Sequence, residues 1–325
     1  MKPIRVHLCS SVFALLFATM STALAQEWPS RPVHLIVPFA AASTPDIFAR
    51  LLADRMSANL GQPVIVENKP GAGGMIGTDA IAKAPADGYT FGVSITGPLV
   101  NNTLLYKKMA YHPFTDLAPI TLAVNQPCIL VANKDFNAST LPEALDELKR
   151  RPGKFNYASL GTGTMSHLSM ETIASRSGTE IVQVPYPGSG QAVQALIAGD
   201  VDLGCMPPAA VVTLMKSGRL KALGIASRKR SPLLPGVKTL AEQGLSGFEA
   251  NAWIGVVAPA KTPPAIRKRL HDEVVRVLQH TDMRHALEQQ MMEPVGNTPQ
   301  EFAAYMREEL ERWEPVIRAN KITLD

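Results

Sequence analysis

The chain has 325 residues, with 32 Lys and Arg against 28 Asp and Glu, a formal net charge of +4, and 46% hydrophobic residues. That much apolar material can fill more than one core and excludes a disordered polymer. The near-balanced charge forms no basic stripe, so nucleic acid is not implied as a partner.

The first elements are not part of a fold. Lys2, Arg5 and His7 make a positive start, Leu8 to Met20 is an apolar and small run, and Ala23-Leu24-Ala25 is a small-x-small cleavage site before Gln26. Residues 1–25 therefore read as a secretory signal peptide. The run is shorter than the roughly 20 residues a membrane-spanning helix needs. Cys9 stands at its start rather than after it, which argues against a lipid anchor. Loss of Lys2 and Arg5 takes the charge from +4 to +2 in an exported, soluble mature chain. Cys128 and Cys205 remain. An oxidising compartment permits a disulfide between them, but each sits in an apolar run and reads better as a buried free thiol.

From Gln26 onward, strand and helix patterns alternate. Val33 to Val37 is a buried strand. Thr44-Pro45-Asp46 has the composition of a helix start, with a capping Thr, Pro in the first turn and an acid near the positive end. Val64 to Val66 is the next strand, a helix begins near Met75, and Asp87-Gly88 turns the chain into a strand at Thr90–Ser94. Cys128 to Val131 restarts the pattern. Thr140-Leu141-Pro142-Glu143 has capping-box spacing before a helix to about Arg150. Strands follow at Phe155–Ala158, Val182–Val184, Val201–Met206, Ala222–Ala226 and Trp253–Val257. Helices run from the Pro185–Gly190 loop to about Ala198 and over Pro299–Ile317.

This alternation predicts an α/β fold of largely parallel sheets with helices on both faces. Ligands on such sheets bind beyond the carboxyl ends of the strands. Three small-residue loops lie there: Pro38 to Thr44, Ser159 to Thr164 and Pro185 to Gly190.

The second of these loops is the most informative. Gly161-Thr162-Gly163-Thr164 joins a strand to a helix, whose first N–H groups lack intrahelical partners and carry the positive end of the peptide dipoles. With Thr164 as cap and hydroxyls on Thr162 and Ser166, it suits a carboxylate or phosphate. An ordinary capped turn has the same composition, and the loop alone leaves both readings open. No Lys follows Gly163, as a P-loop requires, and Gly71 to Gly77 only approximates a dinucleotide fingerprint. Ser166 and His167 are helical neighbours that do not face each other, a poor nucleophile–base pair. Gly188-Ser189-Gly190 lacks the first Gly of a nucleophile elbow. No Cys pair has zinc spacing, and His271, His280 and His285 are not spaced i, i+4. No enzyme activity, cofactor or metal is expected.

These loops, in this order, resemble the Bug receptors, the periplasmic solute-binding proteins of tripartite tricarboxylate transporters. The resemblance is carried by Trp28-Pro29-Ser30-Arg31-Pro32-Val33, Val37-Pro38-Phe39-Ala40-Ala41 and Val66 to Gly74. Ala86-Asp87-Gly88-Tyr89-Thr90, Gly161 to Thr164 with His167-Leu168, Pro185-Tyr186 with Gly188, Gly199-Asp200-Val201-Asp202, Ser231-Pro232 and the Gly244 region extend it along the chain. It implies a two-domain, type II-like periplasmic binding protein with a ligand cleft between the domains. The first domain would comprise about residues 26–125 and 247–325, the second about 126–246. It further implies a periplasmic monomer that captures a small organic acid for the membrane subunits of a transporter. A sensor of the same fold, or less readily an exported hydrolase, is the alternative. Carried over by position, Phe39, Ala40, Ala41, Ser43 and Asp46 form the first binding loop, with Asp46 organising the loop rather than meeting an anion. Gly161, Thr162, Gly163, Thr164 and His167 form the second, flanked by Tyr186, Gly188 and Ser189. Ala42 and Ser43 stand where the family usually has a Gly pair, which would add side chains to the wall of the site and alter the ligands it admits.

Overall fold

The computed structural model describes residues 28–324. The expected signal peptide lies outside the described residues. Labelling helices of eight residues or more, the order begins β1 (Val33–Val37), α1 (Thr44–Leu60), β2 (Val64–Asn68), α2 (Met75–Ala82), β3 (Thr90–Ile95) and β4 (Leu117–Pro127). It continues through β5 (Ile129–Asn133), α3 (Leu141–Arg150), β6 (Asn156–Ser159), α4 (Met165–Ser177), β7 (Val182–Pro185), α5 (Ser189–Ala198), β8 (Leu203–Met206), α6 (Pro208–Lys216) and β9 (Leu220–Ile225). It closes with β10 (Asn251–Pro259), α7 (Pro264–Gln279), α8 (Thr281–Gln289), β11 (Glu293–Pro294) and α9 (Pro299–Ala319). Among the described residues no helix is long and apolar enough to cross a membrane.

The strands form a six-stranded sheet, ordered β11-β4-β10-β3-β1-β2, and a five-stranded sheet, ordered β7-β6-β8-β5-β9. The α/β class holds, but the sheets are mixed rather than largely parallel. β1 pairs in parallel with β2 and β3, and β6 with β7 and β8, while β10 runs antiparallel to β3 and β4, and β5 antiparallel to β8 and β9. β5 and β10, which run against most of their sheets, are the strands that receive the chain at its two crossings between the sheets. β4 ends in the first sheet at Pro127 and β5 begins in the second at Ile129, with Cys128 alone between them. The return passes through Ala250, whose carbonyl accepts from Cys128 N–H at 3.1 Å and whose N–H donates to Ala226 O at 2.8 Å.

β4 carries no strand signal in the sequence because Pro119 and Pro127 interrupt it. β11 pairs only with Asn125 and Val124 of β4, which leaves the Pro119 end without a partner on that side. The capping boxes also differ from expectation. Glu143 sends its side chain to Ser139 N–H rather than to Thr140, whereas Thr298 and Glu301 form the reciprocal pair at the start of α9.

α9 binds the two halves. Phe302 and Met306 pack with Ile36, Ile81 and Trp253 of the first sheet's core. Trp313 and Ile317 pack with Tyr157, Leu168 and Ile173 of the second. Phe302 lies so close over Gly255 that a Cβ there would stand 2.1 Å from its ring, so this strand position admits only glycine. Cys128 and Cys205 are free and buried. The neighbouring Cys205 thiol, together with burial, pushes the Cys128 thiol well above its ordinary range.

Candidate functional site

A cavity of about 520 Å³ lies between the sheets, lined from the first by Phe39, Ser43, Thr96, Asn101 and Asn102 and from the second by Thr162, Gly163, Thr164 and Ser189. Each contributing loop leaves the carboxyl end of a strand: β1, β3, β6 and β7 in turn. Of the residues the sequence singles out, Phe39, Ser43, Thr162, Gly163, Thr164 and Ser189 line the cavity, while Ala40, Ala41, Asp46, Gly161, His167, Tyr186 and Gly188 do not. No Lys, Arg, His, Asp or Glu is among the described residues that line it.

The loop between β6 and α4 satisfies much of its own backbone. Leu160 N–H donates to Ser166 Oγ at 2.7 Å, Gly161 N–H to Ser159 Oγ at 3.4 Å, Gly163 N–H to His167 Nδ1 at 3.0 Å and Thr164 N–H to Gly161 O at 3.3 Å. Among the described residues the N–H groups of Thr162, Met165, Ser166 and His167 have no partner within the protein, and Thr162 and Met165 line the cavity. Thr164 occupies the N-cap, but its hydroxyl donates to Gly161 O at 2.6 Å instead of capping the helix. The helix start is therefore left open to an outside acceptor. Ser166, expected as a hydroxyl donor, is instead buried as the acceptor for Leu160 and lies 3.0 Å from Thr164 Oγ1. Gly163 holds φ +76, and a Cβ there would lie 2.5 Å from Leu105 Cδ1 of the opposite half. The two halves touch at that point.

His167 is buried, stacked on Tyr157 with ring centroids 6.5 Å apart, and its Nδ1 accepts a backbone bond. Burial lowers its pKa below 6.5, opposed by Glu171 3.8 Å from Nε2. The neutral ring is the form that can accept from Gly163. Because its folded pKa is depressed, the unfolded chain takes up the proton first as pH falls. Stability should then decline as pH drops from 6.5 toward the folded value. Urea unfolding across that range should show the decline, and His167→Gln should lose this part of the slope. An equal slope in the variant would show that His167 is not its source.

The first loop is organised by Asp46. Its carboxylate is buried and accepts from Ala42 N–H at 2.8 Å, Arg50 Nε at 3.0 Å and Asn68 Nδ2 at 2.8 Å. Burial alone would raise its pKa, but the bonds from Arg50, Asn68 and Ala42 outweigh it and hold the carboxyl below its ordinary value. The helix start here differs from the expected one: Ser43, not Thr44, is the N-cap, with no side-chain cap bond. Ser43 Oγ is buried without a partner.

Ala42 does not line the cavity and is exposed, so of the two residues at the expected Gly pair only Ser43 adds to the wall. What Ala42 adds is backbone strain, with φ 63 in the left-handed region. An L-residue there costs roughly 1–2 kcal/mol, partly offset by the extra unfolded-state freedom of glycine. Ala42→Gly should stabilise the protein by about 0.5–1 kcal/mol, read from the urea midpoint. A lower midpoint would contradict the strain.

The sequence does not single out the β3 loop. After Ile95 the chain winds through a π-helical turn, Gly97–Asn101, that no apolar period announces. Asn101 is 1% and Asn102 4% exposed, and Asn101 Oδ1 and Asn102 Nδ2 have no hydrogen-bond partner although both residues line the cavity. Unpartnered buried amides mark a place where a ligand or water completes the bonding. The strand at Thr90–Ser94 and the carboxyl-end rule together point to this loop. Among the described residues no group of three or more His, Cys, Asp or Glu could hold a metal ion.

Comparison with known proteins shows what the chain as a whole is similar to. The profile described as the tripartite tricarboxylate transporter family receptor, TctC, matches residues 48–322. Protein BugT of Bordetella pertussis is 38% identical over 314 residues, covering 95% of this chain and 96% of that one. Two solved structures share the fold across nearly their whole length. Rpa4515 of R. palustris, solved with adipate, is 34% identical with a TM-score of 0.79, over 90% of this chain and 98% of that one. MatC of Rhodopseudomonas palustris, with bound malate, is 35% identical with a TM-score of 0.75, over 89% of this chain and 100% of that one.

Proposed function

Since the chain belongs to the tripartite tricarboxylate transporter family of receptors, we propose that its cleft captures a small organic acid and that the loaded protein delivers it to the membrane subunits of the transporter. The carboxylate sits at the start of α4, on the N–H groups of Thr162, Met165, Ser166 and His167. The observation that supports this reading is the set of partnerless N–H groups at a helix start, two of whose residues line a cavity with no charged side chain among its described residues. A hydrogen bond to a charged group contributes about 1.5–3 kcal/mol, and micromolar affinity needs about 8 kcal/mol. A few such bonds with closure of the cleft suffice without a cationic side chain.

Residues 26–125 with 247–325, and residues 126–246, act as the two domains and close about the crossing segments near Cys128 and Ala250. Phe39 and Ser43 form part of one wall, carried on the loop that includes Ala40, Ala41 and Asp46, and Ser189 extends the other from the loop of Tyr186 and Gly188. The mature protein begins at Gln26 and works as a periplasmic monomer. Intact mass and light scattering of the exported protein check these points, and a retained N-terminus or a dimer mass contradicts them.

Binding itself is tested by thermal shift with malate, adipate and hexanoate, against glucose as control. An acid at about 100 times its Kd stabilises the folded state by about 2.7 kcal/mol, enough for a clear rise in Tm. A rise with glucose and none with any acid would overturn the reading.

A further inference from the structure

The two faces of the cavity are not equivalent. On the second-sheet side, β6 and β7 are parallel neighbours, so the loops entering α4 and α5 lie side by side. Their helix starts carry no acidic residue in the first turn. On the first-sheet side, Asp46 lies in the first turn of α1, with its carboxylate held by Ala42 N–H, Asn68 and Arg50. Pro45 removes one N–H from that turn. What that side offers instead is neutral: Ser43 Oγ, Asn101 Oδ1 and Asn102 Nδ2, each buried and unpartnered.

Between the two sides the wall is apolar. Ile254 pairs across the first sheet with Ile95 on one side and Val124 on the other. Cross-strand partners share a face, so the three make one hydrophobic row, and all three line the cavity together with Met292.

Resting on the carboxylate reading above, we infer that the cleft prefers a monocarboxylate with an apolar body and a neutral or hydrogen-bonding far end over an acid with a carboxylate at both ends. The first carboxylate takes the α4 start. A second carboxylate would meet only single side-chain donors, the Ser43 hydroxyl and the Asn102 amide, where the first meets a row of helix-start N–H groups, and so would recover less of the hydration it loses. A hydroxyl at the same place meets Ser43, Asn101 and Asn102.

Three acids with the same six-carbon chain isolate the effect: hexanoate, 6-hydroxyhexanoate and adipate. Isothermal titration of the mature protein near neutral pH should give 6-hydroxyhexanoate and hexanoate affinities at least about tenfold above adipate. Adipate equal to or tighter than hexanoate would overturn the inference while leaving the carboxylate reading intact. No binding by any of the three, or by malate, would overturn both. Asn102→Leu should narrow the advantage of 6-hydroxyhexanoate over hexanoate, and an undiminished advantage would remove the assigned role of the neutral side.

Discussion

Thr162→Pro should weaken binding of the best acid among hexanoate, adipate and malate by at least about tenfold, roughly 1.4 kcal/mol. Proline deletes the Thr162 N–H, which has no partner inside the protein and lies at the cavity. It also restricts the preceding Gly161, which holds φ 110. Ser166→Ala should behave in the opposite manner. Its hydroxyl is spent on Leu160 N–H, so removing it orphans a half-buried donor and costs about 1 kcal/mol of stability with a smaller change in affinity. Calorimetry and urea unfolding on both variants separate the two effects. Undiminished affinity in a folded Thr162→Pro protein would mean that this N–H does not hold the ligand.

The largest expected loss of stability comes from Glu309→Leu, at about 3–4 kcal/mol. Glu309 is fully buried on α9. Its Oε2 accepts from the indole N–H of both Trp253 and Trp313 at 3.2 Å, and Oε1 pairs with Arg312. Trp253 belongs to the first core and Trp313 to the second, so this carboxylate joins the two halves behind the cleft. Leucine fills part of the volume but strands two indole donors and takes one acceptor from Arg312, which keeps only Glu249 at 3.1 Å. Breaking a buried pair from one side typically costs about 3–5 kcal/mol, and the surviving Glu249 contact sets the lower end here. Glu309→Gln retains an acceptor for the indoles and should lose about half as much. A Glu309→Leu urea midpoint near the parent's would show that the carboxylate is not a structural link.

Much of this architecture is legible in the sequence because local chemistry and global fold agree. The strands at Val33–Val37 and Trp253–Val257 announce themselves by apolar runs, and Gly161 to Thr164 by its place between a strand and a helix. Other features depend on contacts that sequence does not display. β4 is a strand despite its prolines because a neighbour is missing where Pro119 needs none. Asn101 and Asn102 reach the cavity through a π-helical turn. Whether a loop N–H is free or spent is decided by side chains such as Ser166 and His167, whose orientation only the folded structure fixes. Ala42 and Ser43 show both cases. The departure from glycine is visible in sequence, yet one residue bears on the cavity and the other on backbone strain.

The most direct test is a crystal structure of the mature protein with its tightest-binding acid. The carboxylate oxygens should lie within hydrogen-bond distance, about 2.7–3.2 Å, of the N–H groups of Thr162 and the first turn of α4, with the rest of the ligand along Ile95, Ile254 and Val124. A carboxylate seated against the start of α1, with the α4 N–H groups facing the apolar end or turned away from the ligand, would contradict the assignment of the anion site.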